Sequence, residues 1–423
     1  MKDSSLSAAE YYEILSKHVV PLLPGSDLSK YPLRSKNTEV VHQEKANSIL
    51  ISPDPKWKNC FRLVRATHPF DADDVNIVKQ FTTALREKLP TSGQPFFQYL
   101  VDRCSQDAVA WSVQQKIFGD DLLPSILALF QKWASETYEG QRISVALGID
   151  PKPDASRISN LHLQEIINQD FSKVLSNGMD TVMVLSPSGH MIEHLALADA
   201  VGSTGHKAEQ WAAPRRYLPL AGWAIGGRVA LALNRHGEIL VFKSSRLQFA
   251  YRRGKWSHFA HSAIIARMMK SSRDQQLIRA VYATCLDISF SRTGGCIAIA
   301  KQNRQRKALE YLNKDDLLDL ASTSKSALLD HLTRHTFDKI PRQIREEIAA
   351  MDGAIILNHK GSITAAGAIV RVGGGSDGGG RRAAAKALSR LGLAIKVSAD
   401  GGITAFSDRG TKQHPEIAFE LSA

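Results

Sequence analysis

A strand–strand–glycine loop–helix succession near the C-terminus constrains the fold more than any other part of the sequence. Two apolar stretches, residues 354–357 and 363–372, are predicted to be strands. A glycine run over residues 373–380 follows them, and then come Arg381, Arg382 and an Ala-rich helix. Glycine backbones approach a phosphate closely, a helix start adds positive potential, and arginine supplies forked donors. The succession therefore predicts a phosphate-binding loop, with a plain surface loop as the alternative.

The charge of the chain points to an anionic partner. The net charge is +12, which favours a nucleotide, a nucleic acid or an acidic protein. Basic residues cluster over residues 246–255 and 301–307. Such runs are typical of solvated surfaces, and neither zinc-finger spacing nor an aromatic–basic RNA motif accompanies them. A nucleotide or cyclic nucleotide is therefore the predicted partner, and nucleic acid is a secondary one.

Targeting and cysteine patterns predict a cytoplasmic protein. No apolar run approaches the ~20 residues of a membrane span. The N-terminus lacks a signal-peptide pattern, and the four cysteines are scattered without CxxC spacing. We therefore expect no membrane partner, no disulfide framework and no structural zinc, with Cys285 and Cys296 as buried thiols.

Changes from helical to strand-type sequence patterns predict three regions in the 423 residues. Residues 1–135 are predicted to be mainly helical, residues 136–270 rich in β-hairpins, and residues 271–423 a mixed sheet flanked by helices. The predicted hairpins pair 181–185 with 190–197, and 228–233 with 238–242. The predicted fold class is mixed α/β (α+β).

The chain contains several helical patterns and two groups of possible metal ligands. Helical patterns are predicted over residues 7–20, 71–89, 96–115, 122–134, 161–175, 274–288, 314–332 and 341–351, with a short strand at 48–52. Asp71, Asp73 and Asp74 are explained as acidic residues that open a helix. His258 and His261 are predicted to start another helix, and as metal ligands they lack a third partner.

Two general phosphate-binding motifs also use glycine-rich loops: the P-loop and the GxGxxG pattern. A P-loop needs a lysine after its glycines, and none is present. Gly373, Gly375 and Gly378 satisfy the GxGxxG pattern of a dinucleotide-binding fold, with Asp400 at the acidic position. The chain continues for only a short stretch beyond Asp400, which leaves little room for the further strands of such a domain. A Rossmann-type dinucleotide enzyme stays an alternative.

Residues from about 275 to 407 resemble the diadenylate cyclase (DisA-type, DAC) domain family in four ordered motifs. Thr293-Gly294-Gly295 and the strand after it are similar to the family's early Thr-Gly-Ala strand. Met351-Asp352-Gly353-Ala354 resembles its Asp-Gly-Ala motif, residues 378–384 its Gly-Thr-Arg-His-Arg-x-Ala motif, and Val397-Ser398 its Val-Ser strand. The family condenses two ATP, which face each other across two subunits, into cyclic di-AMP. The resemblance thus implies a DAC-like sheet and a possible homo-oligomer.

The resemblance also implies roles for individual residues. Asp352 would hold a divalent metal, Mg or Mn, when a nucleotide triphosphate is bound, and would help to activate the ribose hydroxyl. Gly353 and Ala354 would let the base or ribose pack against the backbone. The implied ligand-binding set consists of Thr293, Asp352, Gly353, Ala354, Gly378, Gly379, Gly380, Arg381, Arg382 and Ser398.

The sequence departs from the family in the segment that grips the triphosphate. Gly379 stands where the family has threonine, Gly380 where it has arginine, and Arg381 where it has histidine. Phosphoryl transfer depends on positioning and charge neutralisation. Losing one transition-state donor costs ~3–4 kcal/mol, or ~100–1000-fold in rate. Ground-state binding tolerates such looseness better than catalysis does.

These departures predict a nucleotide-binding sensor or regulatory protein rather than an enzyme. The chain is similar to DAC-like sensor domains (DACNV-like) that are fused to other N-terminal regions in bacterial signalling and defence. The alternatives are an active diadenylate cyclase, which is a nucleotidyltransferase, the Rossmann-type enzyme, and a fold kept as a protein–protein platform.

Overall fold

The computed structural model describes residues 6–32, 40–52, 59–88, 97–199, 211–318, 324–372, 379–410 and 415–421. These residues form an α+β protein, which confirms the predicted fold class. The chain divides into two compact units, Met1–Ala260 and His261–Ala423. Within the described residues, no helix combines the length and the apolar character that a bilayer span requires.

The N-terminal unit begins with helical turns and a four-stranded antiparallel sheet. Helices α1 (Ala8–Ile14) and α2 (Val20–Leu22) flank a π-helical turn, Leu15–Val19. The sheet has the order β1-β4-β3-β2. Its strands are β1 (Ser26–Pro32), β2 (Val41–Lys45), β3 (Ser48–Ile51) and β4 (Asn59–Arg65). Only β3 was predicted from the sequence.

Three longer helices follow the first sheet, close to the predicted positions. They are α3 (Ala72–Lys88), α4 (Phe97–Val113) and α5 (Leu122–Trp133). Helix α4 packs against both α3 and α5. In α5 the buried residues Leu123, Ile126, Leu127 and Phe130 recur at the spacing of one helical face. This periodicity is why α5 was predictable.

A seven-stranded sheet forms the second half of the N-terminal unit, in the order β13-β12-β11-β10-β7-β8-β9. Strands β7 and β8 pair in parallel and the other neighbours are antiparallel. A short hairpin, β5 (Thr137–Tyr138) with β6 (Gln141–Arg142), precedes it. The seven strands are β7 (Val145–Ile149), β8 (Thr181–Leu185), β9 (Met191–Ala196), β10 (Val229–Leu233), β11 (Ile239–Lys243), β12 (Arg246–Arg252) and β13 (Lys255–His258).

Both predicted hairpins are present in this sheet, whereas one helix prediction is wrong and another is right for only one of its two histidines. The hairpins are β8–β9 and β10–β11. The helix expected over residues 161–175 is α6 (Leu163–Ile167) followed by a 3-10 turn, Asp170–Val174, because the chain leaves the helix at the C-cap residue Asn168. His258 ends β13, whereas His261 begins the helix His261–Met268, so the prediction that both histidines start a helix holds for His261 alone. Short helical turns occur at Ala155–Arg157 and Arg215–Tyr217, and α7 spans Leu218–Trp223.

The C-terminal unit is built on a six-stranded mixed sheet, in the order β16-β15-β14-β17-β18-β19. Strands β14 and β15 are parallel, and all other neighbours are antiparallel. The strands are β14 (Gly295–Ala300), β15 (Ala354–Leu357), β16 (Ile363–Ala368), β17 (Gly392–Val397), β18 (Ile403–Gly410) and β19 (Pro415–Leu421). The mixed sheet that the sequence predicted, containing both 354–357 and 393–398, is thus confirmed.

Helices cover this sheet. They are α8 (His261–Met268), α9 (Gln275–Phe290), α10 (Ser324–Thr333), α11 (Arg342–Ala349) and α12 (Gly380–Leu388). Four 3-10 turns join them: Gln302–Glu310, Lys314–Asp316, Phe337–Lys339 and Ser389–Leu391. Ala385 and Leu388 of α12 share a core with Cys296 and Ala298 of β14, so α12 lies on one face of the sheet. The continuous helix predicted over residues 314–332 is wrong, because residues 314–316 form only a 3-10 turn.

The two units differ from the three predicted regions. One hydrophobic core joins helical residues such as Phe81 and Phe130 to Val145 and Val241 of the seven-stranded sheet. This core spans the predicted boundary at residue 135, and the division into 1–135, 136–270 and 271–423 stays a prediction.

Candidate functional site

Three strands bring their ends to one edge of the six-stranded sheet. Cys296 near the start of β14 lies opposite Ala354, the first residue of β15. Gly295 lies opposite Val397, the last residue of β17. The predicted site residues just outside these strands therefore lie along that edge, which we call the site edge: Thr293, Asp352, Gly353 and Ser398.

Arg381, in the first turn of α12, extends to the site edge. A Cβ atom placed on Gly294 would lie 2.7 Å from Nη1 of Arg381, 2.9 Å from the backbone nitrogen of Ala399 and 3.1 Å from the carbonyl oxygen of Val397. Gly294 has a φ of +70°, a conformation that favours glycine. The half-buried guanidinium thus lies against the backbone between β14 and β17.

The positive charge of Arg381 acts on the buried thiol of Cys296, near the start of β14. Burial raises the pKa of the Cys296 thiol to about 12, and the positive charge of Arg381 opposes that rise. Burial also raises the pKa of Cys285. Both cysteines are free and buried, as the sequence predicted. A protonated buried thiol is a poor nucleophile, so neither cysteine is a candidate for covalent chemistry.

Arg382 has an unsatisfied donor beside the start of the same helix. Gly379 caps α12 with a φ of +83°, and its carbonyl accepts hydrogen bonds from the backbone nitrogens of Arg382 and Ala383, at 3.1 and 3.2 Å. Among the described residues, Nε of Arg382 is buried and has no hydrogen-bond partner. Such a group in a native protein calls for a ligand, an ion or a water.

Asp352 is the predicted metal-binding carboxylate of the site edge. Asp352 is exposed in the turn between α11 and β15. Mg²⁺ is usually held by one or two carboxylates together with substrate phosphates. A single carboxylate at the site edge therefore fits a divalent cation only when a bound triphosphate supplies further oxygens. Gly378 lies outside the described residues, as do Gly373 and Gly375 of the alternative dinucleotide motif.

The backbones of Ser398 and Thr293 are held by local turns. The nitrogen of Ser398 donates to the carbonyl of Gly402 at 2.8 Å, and its carbonyl accepts from Gly401 at 2.9 Å. Thr293 is exposed, and its backbone nitrogen donates to the carbonyl of Ile288 at 3.3 Å. The hydroxyl group of Thr293 also donates to the carbonyl of Ile288, at 3.5 Å, and its oxygen keeps the capacity to accept a hydrogen bond at the site edge.

Gly353 has a packing role that the motif did not indicate. Its φ is +105°, and a Cβ atom there would lie 2.4 Å from the carbonyl carbon of Gly367 and 2.7 Å from the nitrogen of Ala368. We expect Gly353→Ala to lower the free energy of unfolding of the C-terminal unit by about 2–4 kcal/mol, through backbone strain and overpacking. Urea unfolding followed by circular dichroism measures this.

Gly380→Ala is the matched control for this substitution. Among the described residues, a Cβ atom on Gly380 meets no heavy atom within 4 Å. Alanine in the first turn of α12 should therefore leave stability unchanged or raise it slightly. Equal stability of Gly353→Ala and the parent would contradict the packing role.

A charged network in the N-terminal unit contains residues that the sequence showed only separately. Asp74 Oδ1 lies 2.9 Å from Nδ1 of His258, and Asp74 Oδ2 accepts from Nη1 of Arg65 at 2.9 Å. Nη2 of Arg65 donates to Oδ1 at 3.2 Å, and Nη1 of Arg65 also lies 2.9 Å from Nε2 of His68. Arg65, Asp74 and His258 are all buried.

The same network brings three potential metal ligands, Asp71, Asp74 and His258, within ligand distance of one another. Arg65 bonds both oxygens of Asp74, and the backbone nitrogen of Asp71 donates to Oδ2 at 3.0 Å. A cation there would face a buried guanidinium. We therefore interpret the cluster as a structural ion-pair network.

The network makes stability depend on pH. Burial disfavours the charged imidazole, but the hydrogen bond and the charge of Asp74 outweigh it and raise the pKa of His258. A raised pKa stabilises the folded state below the ordinary histidine value of about 6.5, and this contribution is lost as the pH rises through the folded-state pKa.

We therefore expect the free energy of unfolding of the N-terminal unit to fall as the pH is raised from about 6.5. Urea titrations at several pH values measure the slope. His258→Gln removes the titrating group and should flatten it. A slope that survives in His258→Gln would place the titration elsewhere.

Comparison with known proteins gives a limited result. No protein-family model matches the chain, and no curated protein matches it. Among the solved structures that match is a double mutant of DacA from Staphylococcus aureus. It has 18% sequence identity and a TM-score of 0.21, and the match covers 34% of this chain and 87% of that one. A likeness at this level assigns no role to any residue of the chain.

Proposed function

We propose that the C-terminal unit is a nucleotide-binding regulatory domain whose pocket is the site edge. The ligand is an adenine nucleotide or a cyclic nucleotide. Arg381 and Arg382 contact its phosphates, and Ser398 and Thr293 offer hydroxyl groups beside them. When the ligand is a triphosphate, Asp352 holds Mg²⁺ or Mn²⁺ together with the phosphate oxygens, and the metal neutralises part of their charge.

The observation that carries this proposal is the position of Arg381. Its guanidinium lies against the backbone of Gly294 and Val397, at the same end of the sheet as Asp352 and Ser398. An arginine on a plain surface loop would extend into solvent. Nε of Arg382, which has no hydrogen-bond partner within the described part of the chain, adds a second donor at the start of the same helix. Forked donors at a helix start suit a phosphate.

The same geometry favours binding over diadenylate synthesis. Gly379 and Gly380 occupy positions where the resemblance implies a threonine and an arginine, and neither glycine provides a side chain. Ground-state binding needs fewer aligned donors than a transition state does. Two facing subunits would each carry the defect, so it would count twice in one reaction.

The experiment is calorimetric titration of the full-length protein with AMP, ATP, cyclic AMP and cyclic di-AMP. We expect one of them to bind, and its affinity to fall as the salt concentration rises, because the contacts are ionic. A parallel incubation with ATP and Mg²⁺ or Mn²⁺, followed by chromatography, should show little or no cyclic di-AMP. Robust turnover would establish the cyclase instead, and no binding by any nucleotide would remove the proposal.

Gly380→Arg tests the proposed phosphate contacts by adding a positively charged donor instead of removing one. The side chain has open space among the described residues. We expect it to tighten nucleotide binding by about tenfold, the effect of one charge-assisted hydrogen bond. Gly380→Gln is the uncharged control with similar helix propensity and should change affinity little. Equal effects of arginine and glutamine would show that α12 does not face the ligand.

A further inference from the structure

We propose that the N-terminal unit has a ligand site of its own, which binds a small aromatic anion. A cavity of ≈ 610 Å³ lies between the π-helical turn Leu15–Val19, helices α4 and α5, and the turn that joins β12 to β13. Small-molecule sites typically enclose roughly 300–1,000 Å³. This cavity lies wholly within the N-terminal unit, and it is independent of the site edge and of the function proposed there.

An irregular helix forms one wall of the cavity. Lys17 and His18 belong to the π-helical turn, in which the nitrogen of Val20 donates to the carbonyl of Leu15, and Pro21 also lines the cavity. A proline inside a helix removes one N–H donor and crowds the carbonyl four residues earlier, which is that of Lys17. Widening the turn relieves this crowding. Such π-turns occur frequently at functional sites, and this one directs Lys17 and His18 towards the cavity.

The charge of the lining selects an anion. Lys17, Arg103, Lys132 and Lys255 line the cavity against one carboxylate, Asp102. Two of these cations are partly neutralised by ion pairs. Arg103 lies 4.0 Å from Asp107, and Lys132 lies 3.9 Å from Glu136.

The other two lysines strengthen the positive potential of the cavity. Lys17 donates to the neutral amide of Gln98 at 2.9 Å, and Lys255 is exposed as the first residue of β13. His18 adds no charge at neutral pH, because burial lowers its pKa. A concave surface with an excess of positive charge concentrates anions, and four cations against one carboxylate give this cavity that excess.

Aromatic side chains select a ring. Tyr99 is 63% exposed and lines the cavity. Tyr251 and Trp256 line it as well, with their ring centroids 5.2 Å apart. Tyr99 offers the exposed aromatic face, whereas Tyr251 is half-buried and Trp256 is buried. An exposed aromatic face in a basic groove suits a planar ring joined to an anionic group. The cavity volume fits a molecule of mononucleotide size.

The test uses the full-length chain carrying Arg381→Ala and Arg382→Ala, so that the site edge does not contribute. AMP supplies a ring with an anion, adenosine the ring alone, inorganic phosphate the anion alone, and naphthalene-1-sulfonate a different ring and anion. We expect a compound that joins a ring to an anion to bind with 1:1 stoichiometry in calorimetry, and adenosine and phosphate to bind at least about tenfold more weakly.

Two variants place that binding in the cavity. Lys17→Gln with Lys255→Gln should weaken it by roughly 3–25-fold, the effect of two exposed ion pairs. Tyr99→Ala should weaken it by roughly fivefold or more, through loss of ring stacking. All three side chains are exposed, so the folded state should be retained.

The matched controls lie outside the cavity in the same unit. Lys79→Gln removes an exposed lysine from α3, and Phe171→Ala removes a ring that is 52% exposed. Neither should change the affinity. If neither AMP nor naphthalene-1-sulfonate binds, or if the cavity variants bind as the controls do, the proposed site does not exist.

Discussion

Replacing Asp74 with alanine is expected to destabilise the N-terminal unit by about 3–5 kcal/mol. The substitution leaves Arg65, which is 1% exposed, and His258, which is 2% exposed, without the carboxylate that both contact. A buried ion pair contributes little net stability, since desolvation offsets the attraction, but removing one partner leaves an uncompensated buried charge. The expected loss of stability therefore comes from the buried charge left unpaired, and not from a large net stabilisation by the intact network.

Urea unfolding followed by tryptophan fluorescence measures this effect in the full-length chain. All six tryptophans lie between residues 57 and 256, so their fluorescence reports on the N-terminal unit alone. The control is Asp73→Ala, which removes an exposed carboxylate from the same helical turn. Only the helix-dipole contribution of about 0.3–1 kcal/mol should be lost there. Similar midpoints for both variants would contradict the role of the network.

Local sequence patterns predicted the elements whose folding is decided locally. The β8–β9 and β10–β11 hairpins combine apolar strands with glycine-containing turns, and α5 repeats its apolar face. Strands β1 and β2 were missed. They lie at the two edges of their sheet, where polar and charged residues limit aggregation, so they lack the apolar alternation of β3.

The charged network joins residues that are far apart in the sequence. Asp74 was explained as an acidic residue at a helix start, and it does lie in the first turn of α3. Its partner His258 is 184 residues away. No spacing rule connects a helix start to the end of a distant strand, because only tertiary folding brings them together. The structural role of Asp74 was therefore invisible in the sequence.

The candidate site was only partly predictable, because it too depends on contacts between residues that are distant in the sequence. The order of the motifs came from a family resemblance, whereas sheet pairing decides which residues are neighbours. Gly294 contacts Arg381 because β14 and β17 are adjacent and α12 packs against both. The close approach of Gly353 to Gly367 and Ala368 depends on the pairing of β15 with β16. Residue types alone contain neither relationship.

Replacing Arg381 and Arg382 together with alanine is expected to abolish nucleotide binding at the site edge. Each substitution removes a charge-assisted hydrogen bond worth ~1.5–3 kcal/mol, so the pair should weaken binding by roughly 10²–10⁴-fold. The fold should persist, because both side chains are half-buried and Nε of Arg382 has no hydrogen-bond partner among the described residues. Calorimetry with the nucleotide that binds the parent measures the loss, and circular dichroism checks the fold.

Lys386→Ala separates local contact from general charge. Lys386 lies on the same helix, about one turn beyond Arg382 and farther from the site edge. Its removal lowers the net charge of the unit by one but touches no proposed phosphate contact, so the affinity should change by less than about fivefold. The salt dependence of binding should also decrease in the double arginine variant and persist in Lys386→Ala. If the double variant binds as tightly as Lys386→Ala, the ligand lies elsewhere and α12 is only a structural helix.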